Sequence, residues 1–213
     1  DMQGIGEVCK AQNLWMHVDG AYGGAGLAAP SVRAQFEGIE LADSFIVDPH
    51  KWLFAPFDCC ALVYQDPSIA REAHQQQGAY LEVIYDGVWN AADYAHHLSR
   101  RARGLPLWFS LATHGTHAYA DAVEQTLTVA QEAAKRIEQH PDLELVTDQQ
   151  LSICVFRRKG WTLADYNRWS ESQLEDGLSF VTPTKHKGET VLRFCIVNPR
   201  TTVEHIEEIL ASL

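Results

Sequence analysis

Three short apolar runs in the first third of the chain constrain its fold more than any other feature. The runs cover residues 14–18, 44–47 and 60–64, and turn-forming or charged residues follow each of them closely. Short apolar runs with such boundaries are typical of buried strands in a sheet that is covered on both faces. The first part of the chain is therefore predicted to have an α/β fold.

Two charged residues follow these predicted strands. Asp19 comes directly after the first run, before the glycine-rich turn at 20–26, and Lys51 follows the second run by way of Asp48 and Pro49. Open α/β sheets bind ligands beyond the carboxyl ends of their strands. Position alone therefore makes Asp19 and Lys51 candidates for a binding site.

Taken separately, neither residue requires a catalytic role. Lys51 is followed by Trp52, Leu53 and Phe54, and an apolar setting favours the neutral amine that Schiff-base chemistry uses. A lysine stem also packs on apolar neighbours while its amine reaches water. Asp19 would be costly to bury without a cationic partner. A helix N-cap, an arginine pair or a magnesium site would account for Asp19 as well as a pyridinium nitrogen would.

The rest of the chain has a different pattern. Residues 65–99 lack a clear period, which is typical of a functional lid or a partly disordered segment. Residues 110–139 carry apolar residues at helical spacing, and Pro141 stops the predicted helix. The elements predicted beyond it are a strand at 151–156, a helix with a Thr162–Asp165 capping box, a strand pair at 179–182 and 191–197, and a last helix capped by Thr201 and Glu204. They predict a small α+β domain.

Composition limits the class of protein. The formal net charge of −11 argues against a nucleic-acid-binding protein, which would present a basic face, and against attraction to an anionic membrane. The five cysteines lack the spacing of a disulfide framework or a zinc site. A helix would place His114 and His117 on one face, but a third metal ligand is not evident. We therefore expect a cytoplasmic protein with reduced thiols and no metal.

Two motifs in sequence order resemble a known family. Asp19 and Ala21 form the first, and His50-Lys51-Trp52 follows about thirty residues later. Together they resemble the group II pyridoxal-phosphate-dependent decarboxylases, which include the aromatic-amino-acid, histidine, glutamate and cysteine-sulfinate decarboxylases.

The resemblance covers nearly the whole chain. The segment around Lys51 follows the family's attachment-site pattern from Ser44 to Cys59, and departs from it at Gln65, where a basic residue is usual. The likeness continues through residues 100–105 and 191–195.

The resemblance implies a role for each residue of the two motifs. Lys51 would hold the cofactor, pyridoxal 5'-phosphate, as a Schiff base. Asp19 would pair with the ring nitrogen and keep the ring an electron sink, and Ala21 would pack against one ring face. His50 would lie near the cofactor phosphate and is grouped with the catalytic residues. Asp48 stands where several members have Asn or Ser near that phosphate, although an ionised Asp could not donate a hydrogen bond there.

Tyr80 lies in the stretch without a period. Its distance from Lys51 matches the mobile-loop tyrosine of the aromatic-amino-acid decarboxylases, which assists protonation of the substrate α-carbon after CO2 leaves. A closing lid also keeps water from the reacting carbon. The alternative is an ordinary loop tyrosine. The resemblance thus implies decarboxylation of an L-amino acid to an amine and CO2 by a homodimer.

The resemblance also implies a division of the chain. Residues 1–109 would be the C-terminal part of the large, cofactor-binding domain of a fold-type I enzyme, and residues 110–213 the small C-terminal α+β domain with its long linking helix. The family's phosphate-binding loop and stacking ring would lie upstream of Asp1. We therefore expect the chain alone to bind pyridoxal phosphate weakly and to be inactive. The rivals are another fold-type I enzyme, such as an aminotransferase or a sulfur–carbon lyase, and a non-catalytic fragment or structural subunit.

Overall fold

The protein was analysed as a computed structural model that describes residues 1–76 and 90–213. The chain divides into two compact units. Unit 1 comprises residues 1–25 and 33–113, and unit 2 comprises residues 26–32 and 114–213. Within the described ranges, no helix is both long and apolar enough to cross a membrane.

Unit 1 is built on a three-stranded sheet. Its strands are β1 (His17–Asp19), β2 (Ser44–Val47) and β3 (Ala61–Tyr64), and its helices are α1 (Met2–Gln12), α2 (Pro49–Trp52) and α3 (Pro67–His74). Short 3-10 helices lie at Ile39–Leu41 and Ala91–Tyr94 in this unit, and two more, Gly23–Ala28 and Pro30–Phe36, include the residues 26–32 that belong to unit 2. Strand β2 pairs in parallel with β1 and antiparallel with β3. The parallel pair confirms the predicted α/β character of this part of the chain.

The first strand begins later than the apolar run suggested. Helix α1 is capped at its C-terminus by Asn13, whose φ of 52° is left-handed, and the Leu14 amide donates a hydrogen bond to the Cys9 carbonyl. The Met16 amide donates to Asp43 Oδ2 at 2.7 Å. Residues 14–16 therefore form a connection rather than a strand, and the predicted strand at 14–18 is wrong at its start. The strand at Ser44–Val47 is confirmed.

Unit 2 is an antiparallel sheet packed against helices. Helix α4 (Leu105–Gln139) enters it from unit 1, and β4 (Leu143–Leu145), β5 (Ile153–Arg158), α5 (Leu163–Glu175), β6 (Thr184–His186), β7 (Glu189–Cys195) and α6 (Val203–Ala211) follow. The strand order is β4-β5-β7-β6. Buried apolar side chains of α4, α5 and α6 meet those of β5 and β7 in one core, among them Ile137, Phe156, Trp169, Leu192 and Ile206. This is the predicted α+β arrangement.

Several predicted elements of unit 2 need correction. The capping box of Thr162 and Asp165 is confirmed. Residues 179–182 do not form a strand. The Val181 carbonyl there accepts a hydrogen bond from Ser170 Oγ of α5. The strand that pairs with β7 is β6, at Thr184–His186. The cap of α6 is Thr202 with His205 rather than Thr201 with Glu204.

Two further predictions are corrected near α4. The helix begins at Leu105 rather than at residue 110, and Gly115, with φ 79° and ψ 161°, interrupts it. Because the interruption lies between His114 and His117, they do not share one continuous helical face. Residues 65–99, which lack a clear period, contain α3 and the 3-10 helix Ala91–Tyr94 in their described part. Tyr80 lies outside the described residues.

Candidate active site

The carboxyl ends of β1 and β2 bring the two sequence motifs together. The strands are parallel, with Asp19 opposite Ile46, so the segments that follow β1 and β2 leave the sheet at the same end of the two strands. The Asp48 amide then donates a hydrogen bond to the Ala21 carbonyl at 3.0 Å. The turn after β1 is thereby fixed to the start of α2, which is the helix that carries Lys51.

Glycines allow this close approach. A Cβ on Gly20 would lie 2.4 Å from Phe45 Cε2 and 2.9 Å from the Ile46 carbonyl oxygen, and one on Gly24 would lie 2.6 Å from Phe45 Cζ. The Phe45 ring therefore fills the space that a side chain at either position would need. The glycine-rich turn is thus required by packing against β2.

Helix α2 presents its residues to different surroundings. Pro49 stands in the first turn, where its missing N–H and fixed φ suit a helix start. Trp52 is fully buried and stacks on Tyr22, with ring centroids 5.2 Å apart and planes 13° from parallel. This stack anchors α2 to the turn after β1. Lys51 is exposed, although it is the immediate neighbour of Trp52.

The amine of Lys51 forms an ion pair with Asp48. Lys51 Nζ lies 2.8 Å from Asp48 Oδ2, and the two side chains are 40% and 14% exposed. Partial burial raises the pKa of Asp48, but hydrogen bonds from Lys51 and Cys60 and the positive charge of Lys51 outweigh it, so that the pKa lies below its ordinary value. The apolar setting expected for Lys51 is therefore wrong, because Trp52 alone turns inward and a carboxylate faces the amine.

Cys60 completes this group of three. Cys60 is exposed as a residue, but its sulfur is partly buried, and the thiol donates a hydrogen bond to the Asp48 carboxylate. Burial of the sulfur, this hydrogen bond and the negative charge of Asp48 raise the pKa of Cys60 to about 11. The thiol is therefore a donor rather than a nucleophile at neutral pH. No sequence signal singled out Cys60, because only the fold brings it back to Asp48.

His50 is held on the other side of α2. Its Nδ1 accepts a hydrogen bond from the Cys59 amide at 3.1 Å and lies 2.6 Å from the Cys59 carbonyl oxygen. The Phe57 ring packs edge-on against it at 4.9 Å. These contacts fix the imidazole to the segment before β3.

Asp58 anchors the segment before β3, and no sequence signal pointed to this role. Its carboxylate pairs with Arg103 at 2.9 Å and with Arg101. A hydrogen bond to its own backbone and these two guanidinium groups hold the pKa of Asp58 below its ordinary value. The basic cluster at 100–103 thus supports the chain next to His50.

Asp19 is oriented but not paired with a cation. Its Oδ1 accepts a hydrogen bond from the Ala21 amide at 3.0 Å, and the side chain is exposed. Among the residues that the structure describes, Asp19 forms no ion pair and does not cap an α-helix. An arginine pair and an α-helix N-cap therefore do not account for it there.

The site therefore has a fixed carboxylate after one parallel strand and a lysine on the helix that follows the other strand. This arrangement suits enzymes that hold a carbonyl cofactor through an amine. The chain belongs to the pyridoxal-dependent decarboxylase family, because residues 1–159 match the pyridoxal-dependent decarboxylase conserved domain.

Curated relatives agree with this assignment, and a solved structure shows the same fold. The chain is 32% identical over 214 residues to 3,4-dihydroxyphenylacetaldehyde synthase of Aedes aegypti, covering 97% of this chain and 40% of the relative. It is 29% identical over 219 residues to aromatic-L-amino-acid decarboxylase of Bacillus atrophaeus, covering 98% and 46%. Oryza sativa TDC with PLP and tryptamine has the same fold, with a TM-score of 0.87 at 24% identity over 99% of this chain and 46% of that one. The chain spans less than half the length of these proteins.

Proposed function

We propose that this chain contributes to decarboxylation of an L-amino acid to an amine and CO2, with pyridoxal 5'-phosphate as cofactor. The observation that supports this most is the placement of Asp19 and Lys51 at one end of a parallel strand pair, joined by the bond from the Asp48 amide to the Ala21 carbonyl. In the family pattern, residues 1–109 would belong to the large domain and residues 110–213 to the small domain.

The residues at this sheet end suit the cofactor. Lys51 offers an exposed amine, and Asp19 offers a fixed carboxylate without a cation partner in the described part of the chain. When bound there, pyridoxal phosphate supplies an electron sink for the pair of electrons left on the α-carbon. Asp19 would keep the ring nitrogen protonated, and Ala21 would contact one face of the ring. Lys51 would carry the aldehyde carbon and would later release the amine product.

Asp48 and His50 would act close to Lys51. An ionised Asp48 would repel a phosphate group, so we propose that it holds and orients the Lys51 amine. The 2.8 Å ion pair between Lys51 and Asp48 supports this. So does the pKa of Asp48, which partial burial raises but which hydrogen bonds from Lys51 and Cys60 bring below its ordinary value. His50, fixed by Cys59, would present its free ring nitrogen to the cofactor.

Tyr80 would assist protonation of the substrate α-carbon after CO2 leaves, as the sequence resemblance implies. An L-amino acid with an aromatic or imidazole side chain is the substrate class that the names of the relatives suggest, since aromatic-L-amino-acid, histidine and tyrosine decarboxylases are among them. We further propose a homodimer in the cytoplasm. All five cysteines are free thiols, which supports a reducing compartment.

A product assay tests the proposal. The protein is isolated in its native form with any polypeptide that copurifies, loaded with pyridoxal phosphate, and given L-amino acids labelled at the carboxyl carbon. We expect labelled CO2 and an equal amount of amine, both lost in Lys51→Ala. A keto acid without CO2 would make the protein an aminotransferase instead. An aldehyde with CO2 would place it with the aldehyde synthase named among its relatives.

A further inference from the structure

Ser44, the first residue of β2, bonds to three consecutive residues of the segment that enters β1. Its amide donates a hydrogen bond to the Met16 carbonyl at 3.2 Å. Its Oγ lies 2.9 Å from Trp15 Nε1 and 2.8 Å from His17 Nδ1. The residue is only 5% exposed. A single buried residue of β2 therefore holds the start of β1 through both its backbone and its side chain.

The hydroxyl of Ser44 gives this group a direction. An indole N–H can only donate, so Ser44 Oγ accepts a hydrogen bond from Trp15. A hydroxyl has one hydrogen of its own, and among the described residues His17 Nδ1 is the other group that bonds to this oxygen. Because an unused buried donor is costly, the hydroxyl hydrogen goes to Nδ1. His17 is then a neutral imidazole with its proton on Nε2.

The register of β1 depends on a contact of this kind. The strand has three residues and, within the described part of the chain, lies at the edge of its sheet. It lacks a well-buried face, because His17 and Asp19 are exposed and Val18 is half-buried. Such strands specify their register weakly, and a slip of one residue turns every side chain to the opposite face. The bond from Ser44 to His17 fixes the register, and with it the face on which Asp19 lies.

The strand pair is thereby held at both of its ends. Ser44 holds the start, and the bond from the Asp48 amide to the Ala21 carbonyl lies just beyond the other end. Backbone bonds between two strands can also form in a slipped register. The Ser44 hydroxyl, in contrast, meets Trp15 and His17 together in one register only.

We propose that Ser44, together with Trp15 and His17, positions the cofactor site. The Ser44 hydroxyl accepts from Trp15, donates to His17 and so fixes the register that brings Asp19 to the strand end where α2 begins. The inference rests on the proposed function, in which Asp19 and Lys51 serve one cofactor. Ser44 acts through β1 and is a positioning residue rather than a catalytic one.

Nitrogen NMR of protein with isotopically labelled histidine tests the hydrogen bonds without cofactor. We expect wild-type His17 to carry its proton on Nε2, with Nδ1 accepting a hydrogen bond. Ser44→Ala should move the Nδ1 resonance to the position of a nitrogen without a donor. Trp15→Phe should also move it, because the Ser44 hydroxyl is then free to accept instead of donating. His205 is the internal control, since its Nδ1 accepts from the Thr202 amide at 3.0 Å in unit 2.

Borohydride trapping tests the consequence at the site. The native protein, with any polypeptide that copurifies, is mixed with pyridoxal phosphate and reduced. Mass spectrometry then gives the ratio of the label at Lys51 to the label at Lys135, which lies in unit 2. Ser44→Ala and Trp15→Phe should each lower this ratio by about two- to tenfold, which corresponds to the net contribution of one hydrogen bond. Because Trp15 is 49% exposed, its substitution gives the answer even if Ser44→Ala does not fold.

Ser212→Ala is the matched control. It removes a bond of the same kind, from Trp169 Nε1 to Ser212 Oγ at 3.0 Å, but in unit 2. It should change neither the His17 resonance nor the label ratio.

The inference is overturned if wild-type His17 carries its proton on Nδ1, or if its Nδ1 resonance is the same in Ser44→Ala. It is also overturned if folded Ser44→Ala and Trp15→Phe keep the wild-type label ratio. Equal labelling of Lys51 and Lys135 already in the wild type would contradict the proposed function itself, and this inference with it.

Discussion

The backbone amide of Asp48 donates a hydrogen bond to the carbonyl oxygen of Ala21 at 3.0 Å. This bond joins the turn after β1 to Asp48, the residue that precedes α2, just beyond the ends of the two paired strands. Asp19 lies two residues before Ala21, and Lys51 lies three residues after Asp48. The relative position of the two groups that would serve the cofactor therefore depends on the backbone, and substitutions that move this backbone should disturb both.

Gly20→Ala should disturb the turn after β1. The new Cβ would meet Phe45 Cε2 at 2.4 Å and the Ile46 carbonyl oxygen at 2.9 Å, and overpacking of this kind costs about 1–3 kcal/mol of unfolding free energy. Urea unfolding followed by circular dichroism measures the loss. Gly104→Ala is the matched control, because a Cβ there meets nothing within 4 Å. Equal stability of the two variants would contradict the packing argument.

Asp48→Asn should make the Lys51 amine more reactive. The amine loses the carboxylate that holds it at 2.8 Å, so it is freer to reach the reagent. Because the pair is partly exposed, the gain in the rate of reductive methylation at pH 7.5 should be about two- to fivefold, which corresponds to a surface ion pair. Peptide mass spectrometry measures the rate at Lys51. Asp66→Asn, in the cap of α3, should leave that rate unchanged, and an unchanged rate in Asp48→Asn would show that the pair does not restrain the amine.

The sequence was sufficient to find the two candidate residues of the site but not the residues that surround them. Asp19 and Lys51 could be found because each follows an apolar run, and parallel strands place such residues at one edge. Cys60 and Asp58 could not be found in the same way. Cys60 contacts Asp48 only because the 53–60 segment folds back, and Asp58 contacts Arg103 only because residues 100–103 come to lie beside it. The desolvation expected at Lys51 failed for a related reason. Three apolar neighbours in sequence do not specify which side of a one-turn helix faces the sheet.

Strand positions show the same limit in unit 2. The capping box at Thr162 involves residues three apart, so local sequence specifies it. The strand that pairs with β7 depends on the turn at Lys187 and Gly188, whose φ values are 48° and 88°. This turn fixes β6 at Thr184–His186 rather than at residues 179–182.

Cys60 should alkylate slowly although it is exposed. Burial of the sulfur and its hydrogen bond to Asp48 raise its pKa to about 11 from an ordinary value of 9.0, so the thiolate fraction at pH 8 is lower by roughly a factor of 100. The rate of its reaction with iodoacetamide should keep rising with pH up to about pH 11. Asp48→Asn should accelerate the reaction at pH 8. A rate that levels off near pH 9, as for an ordinary thiol, would contradict the contact with Asp48.

Phe156→Ala should destabilise unit 2. Phe156 is fully buried and its ring centroid lies 4.7 Å from that of Phe194. The cavity and the lost transfer free energy together cost about 3–5 kcal/mol. Chemical denaturation measures the change, and Leu174→Ala is the control, because that side chain is 57% exposed on α5. A loss for Phe156→Ala no larger than for Leu174→Ala would contradict the assignment of this residue to the core.

Borohydride trapping of pyridoxal phosphate on the protein tests the central claim most directly. The protein is mixed with the cofactor, reduced and digested, and mass spectrometry locates the pyridoxyl group, which reduction retains even when binding is weak. Lys51 should carry most of the label, and Lys51→Ala should lose that label without gaining it elsewhere. Labelling spread evenly over the lysines of the chain, or equal total labelling in Lys51→Ala, would contradict the assignment of Lys51 as the residue that holds the cofactor.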